Sequence, residues 1–253
     1  MALRINSNVA SVFSQKHLSR SQERLGENFA KLSSGLRITK AADDAAGLAV
    51  SESMRSDIRS IATAMRNAND GISMVQTAES SLAEIGSSLS RMRELAVQAA
   101  SAVLQTAERA YLNTEFSALA TEITRIADVT EFNGLKLSNG ATASAAVQVG
   151  IRNTTNDRIT VTLQSASATA LGINATLINA ATVAQASITV LDTAIDSNNT
   201  KRAAYGSVQN TLSSALHNLE SYSENLIAAE SSIRDVDFAS ETADMTRNSI
   251  FQQ

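Results

Sequence analysis

One stretch constrains this chain more than any other: residues 58–103. Read at alternating steps of three and four, it gives Ile58, Ile61, Met65, Ala68, Ile72, Val75, Ala78, Leu82, Ile85, Leu89, Met92, Ala96, Ala99 and Val103. Its one irregularity is two threes in a row at Ile72–Val75–Ala78. Such spacing lays one apolar seam along a helix, and a partner helix must cover it. No Pro interrupts the chain. At about 1.5 Å per residue the helix is on the order of 70 Å long, which suits a rod better than a globule. Asn-Ala-Asn-Asp-Gly at 67–71 reads as a turn by local rules. The seam crosses it in phase, so uninterrupted helix is expected.

Two further seams supply partners. Leu112, Phe116, Leu119, Ile123 and Ile126 form one, ending at the turn signal Phe132-Asn133-Gly134, and residues 101–108 hold the reversal before it. The other runs from about Val183 through Ile188, Leu191, Ile195, Asn198, Arg202, Tyr205, Val208, Leu212, Ala215, Leu219, Tyr222 and Leu226 towards Ile250. It too slips once, with two threes at Arg202–Tyr205–Val208. The expected rod core includes Ile72, Val75, Leu82, Leu89, Leu119, Ile123, Leu212, Leu219 and Leu226. Between the helical halves, Val147, Val149 and Ile151 alternate with other residues, as do Ile159, Val161 and Leu163, which predicts a β-hairpin around 153–157. The Ala/Ser/Thr-rich run 165–182 reads as an exposed loop with at most one short turn of helix.

The two ends complement each other. Residues 1–40 carry Arg4, Lys16, Arg20, Arg24, Lys31, Arg37 and Lys40 against Glu23 and Glu27, a balance of +5. Residues 220–253 carry seven acids against Arg234 and Arg247, a balance of −5. The N-terminal seam, Leu18, Leu25, Phe29, Leu32 and Leu36, is too weak to order a lone helix in water. Pairing with the C-terminal seam through Ala243 and Ile250 is therefore expected. Gly35 reads as a helix stop, and Asp43 or Asp44 as the cap of the next helix. The fold class is mainly α: an elongated, coiled-coil-like rod with a small β-hairpin and paired terminal helices. Residues 1–42 with 237–253 form a terminal region, and residues 43–236 a long-helix domain with the hairpin and loop at about 138–183.

Composition removes other chemistries. Without Cys there is no disulfide framework or thiolate metal site. His17 and His217 lack a second ligand nearby in sequence and read as surface or seam imidazoles, so no metal or other cofactor is expected. Asp43-Asp44 suits capping, not catalysis. Net charge is −4 and the basic N-terminal face has little aromatic interleaving, which argues against nucleic acid. No apolar run reaches the roughly 20 residues that span a bilayer, so no membrane insertion is expected. The start lacks the apolar core of a cleavable signal peptide.

Several separated segments resemble bacterial flagellin. They are Leu-Ser-Ser-Gly-Leu-Arg-Ile-Thr-Lys-Ala-Ala-Asp-Asp-Ala-Ala-Gly-Leu-Ala-Val-Ser-Glu from Leu32, the 67–79 segment, Arg-Met-Arg-Glu-Leu-Ala-Val-Gln from Arg91, Glu131-Phe132-Asn133-Gly134, residues 232–245, and the final Ile-Phe-Gln-Gln. The resemblance covers roughly residues 1–140 and 201–253. It implies a non-enzymatic structural subunit of the flagellar filament, built from copies of itself, with paired terminal helices lining the inside of a tube. It also implies an extracellular location, export through the flagellar type III apparatus without a cleaved signal peptide, and an export chaperone and cap as partners. Flagellins often carry large outer domains where this chain has only a short region, so a comparatively smooth surface is implied. They also continue past the Gln-Gln pair, which implies truncation or an incomplete inner tube here.

The segment from Arg91 resembles the part of many flagellins that contacts Toll-like receptor 5. The resemblance assigns Arg91 the central role, Leu95 that of its apolar neighbour, and Glu115 and Leu216 further contacts on adjacent helices. Ser90 departs from the usual glutamine, which implies weakened recognition. A hook–filament junction protein shares the helical ends, and a surface adhesin using the hairpin region is the reading from another class. That region has no aromatic residue between Gly134 and Ala204 for sugar stacking.

Overall fold

The computed structural model describes residues 8–252. In chain order they form α1 (Val9–Ser34), α2 (Ala45–Ala99), α3 (Thr106–Val129), β1 (Glu131–Phe132), β2 (Leu135–Lys136), β3 (Ser144–Gln148), β4 (Arg158–Thr162), α4 (Ala181–Arg234) and α5 (Phe238–Gln252). Two compact units result. One runs to Ser60 and resumes at Ser221; the other is Ile61–Glu220.

In the second unit the long seam is the core. Ala68, Val75, Ala78, Leu82, Ile85, Leu89, Met92, Ala96 and Ala99 are buried, while Ile72 and Met65 are half-buried. Leu212, Leu219 and Ile123 from the facing helices are also buried, and Leu119 is half-buried against the cluster. Val103 falls outside α2 and is fully in solvent. α2 and α4 run antiparallel, since Arg93 pairs with Asp192 while Glu79 pairs with Arg202. α2 passes through residues 67–71 without a break. The turn-like residues serve packing instead. Asn67 Nδ2 donates to the Gln148 carbonyl (3.2 Å), and a Cβ on Gly71 would lie 3.1 Å from Val147 Cγ1. Glycine lets the hairpin approach the helix backbone.

The reversal between α2 and α3 is held by Arg109, which donates to the carbonyls of Ala99 (2.9 Å) and Ser101 (2.7 Å). These acceptors lie at the C-terminal end of α2, where carbonyls lack intrahelical donors. Asn133 (φ 49°) and Gly134 (φ 80°) make the expected turn, and it closes an unforeseen second small hairpin, β1–β2. The main hairpin pairs Ser144 with Thr162 through to Gln148 with Arg158, so its first strand lies earlier than the 147–151 alternation suggested. The ladder ends where the Val149 and Gly150 amides both turn to the Asp157 carbonyl (2.9 Å each).

The run 165–182 is not the exposed loop that its composition suggests. Ala166, Ala168, Leu171, Ile173 and Ile178 are buried. Its backbone finds acceptors that make this burial tolerable: the Ala166 amide reaches the Ser138 carbonyl (2.8 Å), Ile178 reaches Asn113 Oδ1 (3.0 Å), and Gln164 reaches the Tyr205 hydroxyl (3.0 Å). Small Ala side chains then fit beneath it.

In the first unit, Gly35 ends α1 in the left-handed conformation (φ 72°), its amide donating to the Lys31 carbonyl (2.8 Å). Asp44 is the acid that caps α2: its Oδ1 accepts the Gly47 amide (2.9 Å). Asp43 instead closes the preceding turn, accepting from the amides of Lys40 and Thr39 and from the Thr39 hydroxyl (2.9 Å each). Those bonds hold its carboxyl below the ordinary value, the Lys40 amide first. The C-terminal helix breaks where the seam suggested continuity. Asp235–Asp237 leave α4, and Asp237 Oδ1 accepts the Ala239 amide at 2.9 Å to start α5.

Candidate functional site

Two surfaces bear the residues that sequence assigns to function. In the first unit, α1 packs on α5 as expected, and antiparallel, because Gly35 meets Val236 while Asn28 lies further along against Glu241 and Met245. The contacting residues differ from the expected set. Leu25, Leu32 and Leu36 are half-buried, and Leu36 lies beyond α1 in a β-bridge with Asp235. Leu18, Phe29, Ala243 and Ile250 face solvent, Phe29 at 56% and Ile250 at 65% exposure. The buried residue of α1 is Asn28. In the amide orientation that suits its surroundings it accepts from the Met245 amide (3.0 Å) and donates to Glu241 (3.2 Å). Leu18, Phe29, Ala243 and Ile250 therefore lie on outward faces, which also carry Val12, Phe13, Phe238 and Phe251. Leu226 is half-buried in this unit, on α4.

The opposite terminal charges do not bond across this pair. Among the described residues no ion pair joins α1 to α5, and Arg247 pairs instead with Asp244 one turn away. Exposed charges in water gain too little from contact to hold two long side chains in place. Of the two histidines, His17 stacks edge-on against Phe13 with centroids 4.4 Å apart, and His217 lies 3.2 Å from Glu220 on the surface.

In the second unit, Arg91 stands on the outer face of α2 between two acids. Its guanidinium donates to Glu94 on its own helix and to Glu115 on α3, both at 2.9 Å. These bonds, that to Glu94 first, raise its pKa. Arg93 turns to the other side and pairs with Asp192 of α4. Ser90 donates its hydroxyl to the Gly86 carbonyl (2.9 Å). The structure thus brings Arg91 and Glu115 together. Leu95 does not share their surface, being 1% exposed in the core beneath them. Leu216 does not join them either. Asp192, level with Arg93, lies on the same helix, and 24 residues separate it from Leu216, about 36 Å of helix.

Among the described residues these surfaces are packed helices with charged and apolar outer faces, and no group of three or more His, Asp or Glu could hold a metal ion. Comparison with known proteins decides what these are for. The bacterial flagellin N-terminal helical region matches residues 5–143, and the bacterial flagellin C-terminal helical region matches residues 188–253. The chain belongs to the bacterial flagellin family. It is 41% identical to a flagellin of Halalkalibacterium halodurans over 249 residues, 98% of this chain and 92% of that one. It is 40% identical to a flagellin of Bacillus subtilis over 285 aligned positions, covering 99% and 93% of the two. A crystal structure of Bacillus cereus flagellin, 33% identical, superimposes with a TM-score of 0.54 over 65% of this chain and 94% of that one. The chain is a structural subunit of the flagellar filament, in a short form without large outer domains. Flagellins are structural proteins that form homo-oligomeric filaments, the extracellular part of the flagellum. No helix among the described residues is long and apolar enough to cross a membrane.

Sequence reading missed Asn28 and the main-chain clasp between Gly35–Arg37 and Arg234–Val236. Asn28 lies three residues after Leu25 and four before Leu32, a spacing that marks it as facing the partner. The clasp had no apolar signal at all.

Proposed function

We propose that copies of this chain build the filament through the outward apolar faces of α1 and α5, with α1 and α5 forming its inner layer. The observation that carries this reading is the exposure of Val12, Phe13, Phe29, Ile250 and Phe251 on an otherwise paired helix couple. A patch of large apolar residues in water calls for a covering surface, and identical neighbours in a helical array supply one. Export proceeds through the flagellar type III route, assisted by a chaperone and completed beneath a cap. Phe29→Asp and Ile250→Asp leave the α1–α5 contact untouched, because both side chains point away from it. Electron microscopy of each variant, expressed in flagellate cells lacking their own flagellin, tests the reading. Loss of filaments with secreted monomer still present is expected; filaments of normal length would overturn it.

The Arg91–Glu115 surface is proposed as the contact for Toll-like receptor 5. Leu95 then supports the surface from below, and Leu216 is outside it.

A further inference from the structure

We infer that Asn198 and Gly86 form a register lock that fixes how far α2 can slide along α4. The regular heptad part of the seam does not by itself set that position. Sliding α2 by seven residues exchanges Val75, Leu82 and Leu89 for one another, and Ala78, Ile85 and Met92 likewise. The displacement is about 10 Å, and at those positions apolar still meets apolar.

Besides the Arg93–Asp192 pair, three features hold in one register only. Asn198 is 1% exposed, and its Nδ2 donates to the Leu82 carbonyl at 3.0 Å. A Cβ on Gly86 would lie 3.1 Å from that Nδ2, so the amide enters where α2 has no side chain. The heptad equivalents of Gly86 are Glu79 and Arg93, and both would block it. Arg202, one turn along α4, places Nη2 2.6 Å and Nε 3.0 Å from Glu79 Oε1. A seven-residue slide would face Arg202 with Ile72 or Gly86 instead.

The third feature is the pair of slips. Each helix has one place where two threes follow each other, and such a break overwinds the seam locally. In the structure they lie side by side. A Cβ on Gly71 would be 3.4 Å from Leu212 Cδ1 at one end of the stretch, and Glu79 meets Arg202 at the other. Residues 72–78 therefore lie opposite about 203–211, which overlaps the slip at 202–208. Any slide would set an overwound stretch against a regular one.

The lock has a cost that marks its role. Asn198 Oδ1 is buried and accepts no hydrogen bond. A leucine in its place would remove that burden, yet the chain retains a polar group, as coiled coils do where one buried Asn selects the register at the expense of stability.

The absence of Cys makes the test direct. Nitroxide labels on Ser87→Cys and Thr200→Cys, both exposed, report the α2–α4 position by pulsed electron resonance. The wild-type background should give one distance. Asn198→Leu should melt no lower than wild type and show a second population displaced by about 10 Å. Gly86→Ala, which crowds the amide off the Leu82 carbonyl while keeping Asn198, should show the same second population. A single wild-type distance in Asn198→Leu overturns the inference, whatever its melting temperature. Should that variant fail to fold, a single distance in Gly86→Ala overturns it equally.

Discussion

The amide of Arg37 donates to the carbonyl of Arg234 at 2.7 Å, joining two helix interruptions that lie far apart in the chain. The Val236 amide returns the bond to Gly35 at 3.0 Å, and Leu36 and Asp235 pair between them. Backbone groups that leave a helix need partners, and here each interruption supplies the other's. Side chains reinforce the joint. Arg37 donates to the Ile233 carbonyl, and Arg234, only 12% exposed, reaches Glu52 at 2.7 Å.

Glu52 is consequently the acid-sensitive point of the joint. Its bond to Arg234, followed by that to Arg55, lowers its pKa below the ordinary 4.5. A lowered carboxyl pKa contributes stability that is present above the ordinary value and lost as pH falls through the folded one. Glu52→Gln should therefore lower the melting temperature at neutral pH and flatten its decline below about pH 4.5. Thermal unfolding across a pH series measures this; parallel acid limbs in the two proteins would contradict it.

Gly47→Ala offers a test in which helix propensity and packing disagree. In a helix interior Ala is better than Gly by about 1 kcal/mol. At this position the new Cβ would overlap the Asp44 carboxylate and come within 2.8 Å of Ile38 Cδ1. Asp44 is the α2 cap and Ile38 is 1% exposed, so neither neighbour yields freely. Loss of a cap costs about 1 kcal/mol and overpacking about 1–3 kcal/mol. The variant should be less stable in denaturant titrations, and a gain would show that Ile38 relaxes.

The long helices were legible because their apolar period is regular and no Pro intrudes. Ile85, Leu89 and Met92 are buried as that period demands. Local rules failed where tertiary contact outweighed them. At Gly71 a turn-like composition gives way to helix, as the in-phase seam predicts, and the glycine is a docking point for Val147; Ala166 and Ala168 have loop-like neighbours and are core. The terminal seam misled in another way. Period identifies an apolar face but not what covers it, so Phe29 and Ile250 were assigned to a partner within the chain and instead face outward. At the Arg91 surface, spacing along α2 could place Leu95 next to Arg91 in sequence. Only the fold shows that one turns in and the other out.

Tyr205 couples the 163–180 segment, with its buried Ala166, Ala168, Leu171, Ile173 and Ile178, to α4. Its hydroxyl accepts the Gln164 amide at 3.0 Å, and the residue is 1% exposed. Tyr205→Phe leaves that amide without an acceptor, a loss of about 1–3 kcal/mol. Burial raises the phenol pKa above its ordinary 10.0. Stability from the neutral phenol is thus complete below that value and lost as pH rises through the raised one. The alkaline limb should be shallower in Tyr205→Phe than in wild type, as read by melting between about pH 9 and 11.

The proposed receptor surface separates three neighbouring residues by where their side chains point. Arg91 lies between Glu94 and Glu115 and is half exposed; Arg93 is equally exposed but is turned to Asp192. Arg91→Ala should therefore reduce binding to Toll-like receptor 5 more than Arg93→Ala, while both melt close to wild type because exposed ion pairs contribute little. Leu95→Ala should behave differently again. Its side chain is core, so about 2–5 kcal/mol of stability should be lost. Where wild-type binding is too weak to measure, Ser90→Gln is the variant in which to repeat the series. Surface plasmon resonance beside calorimetry distinguishes the three, and equal loss of binding for the two arginine variants would remove the special place of Arg91.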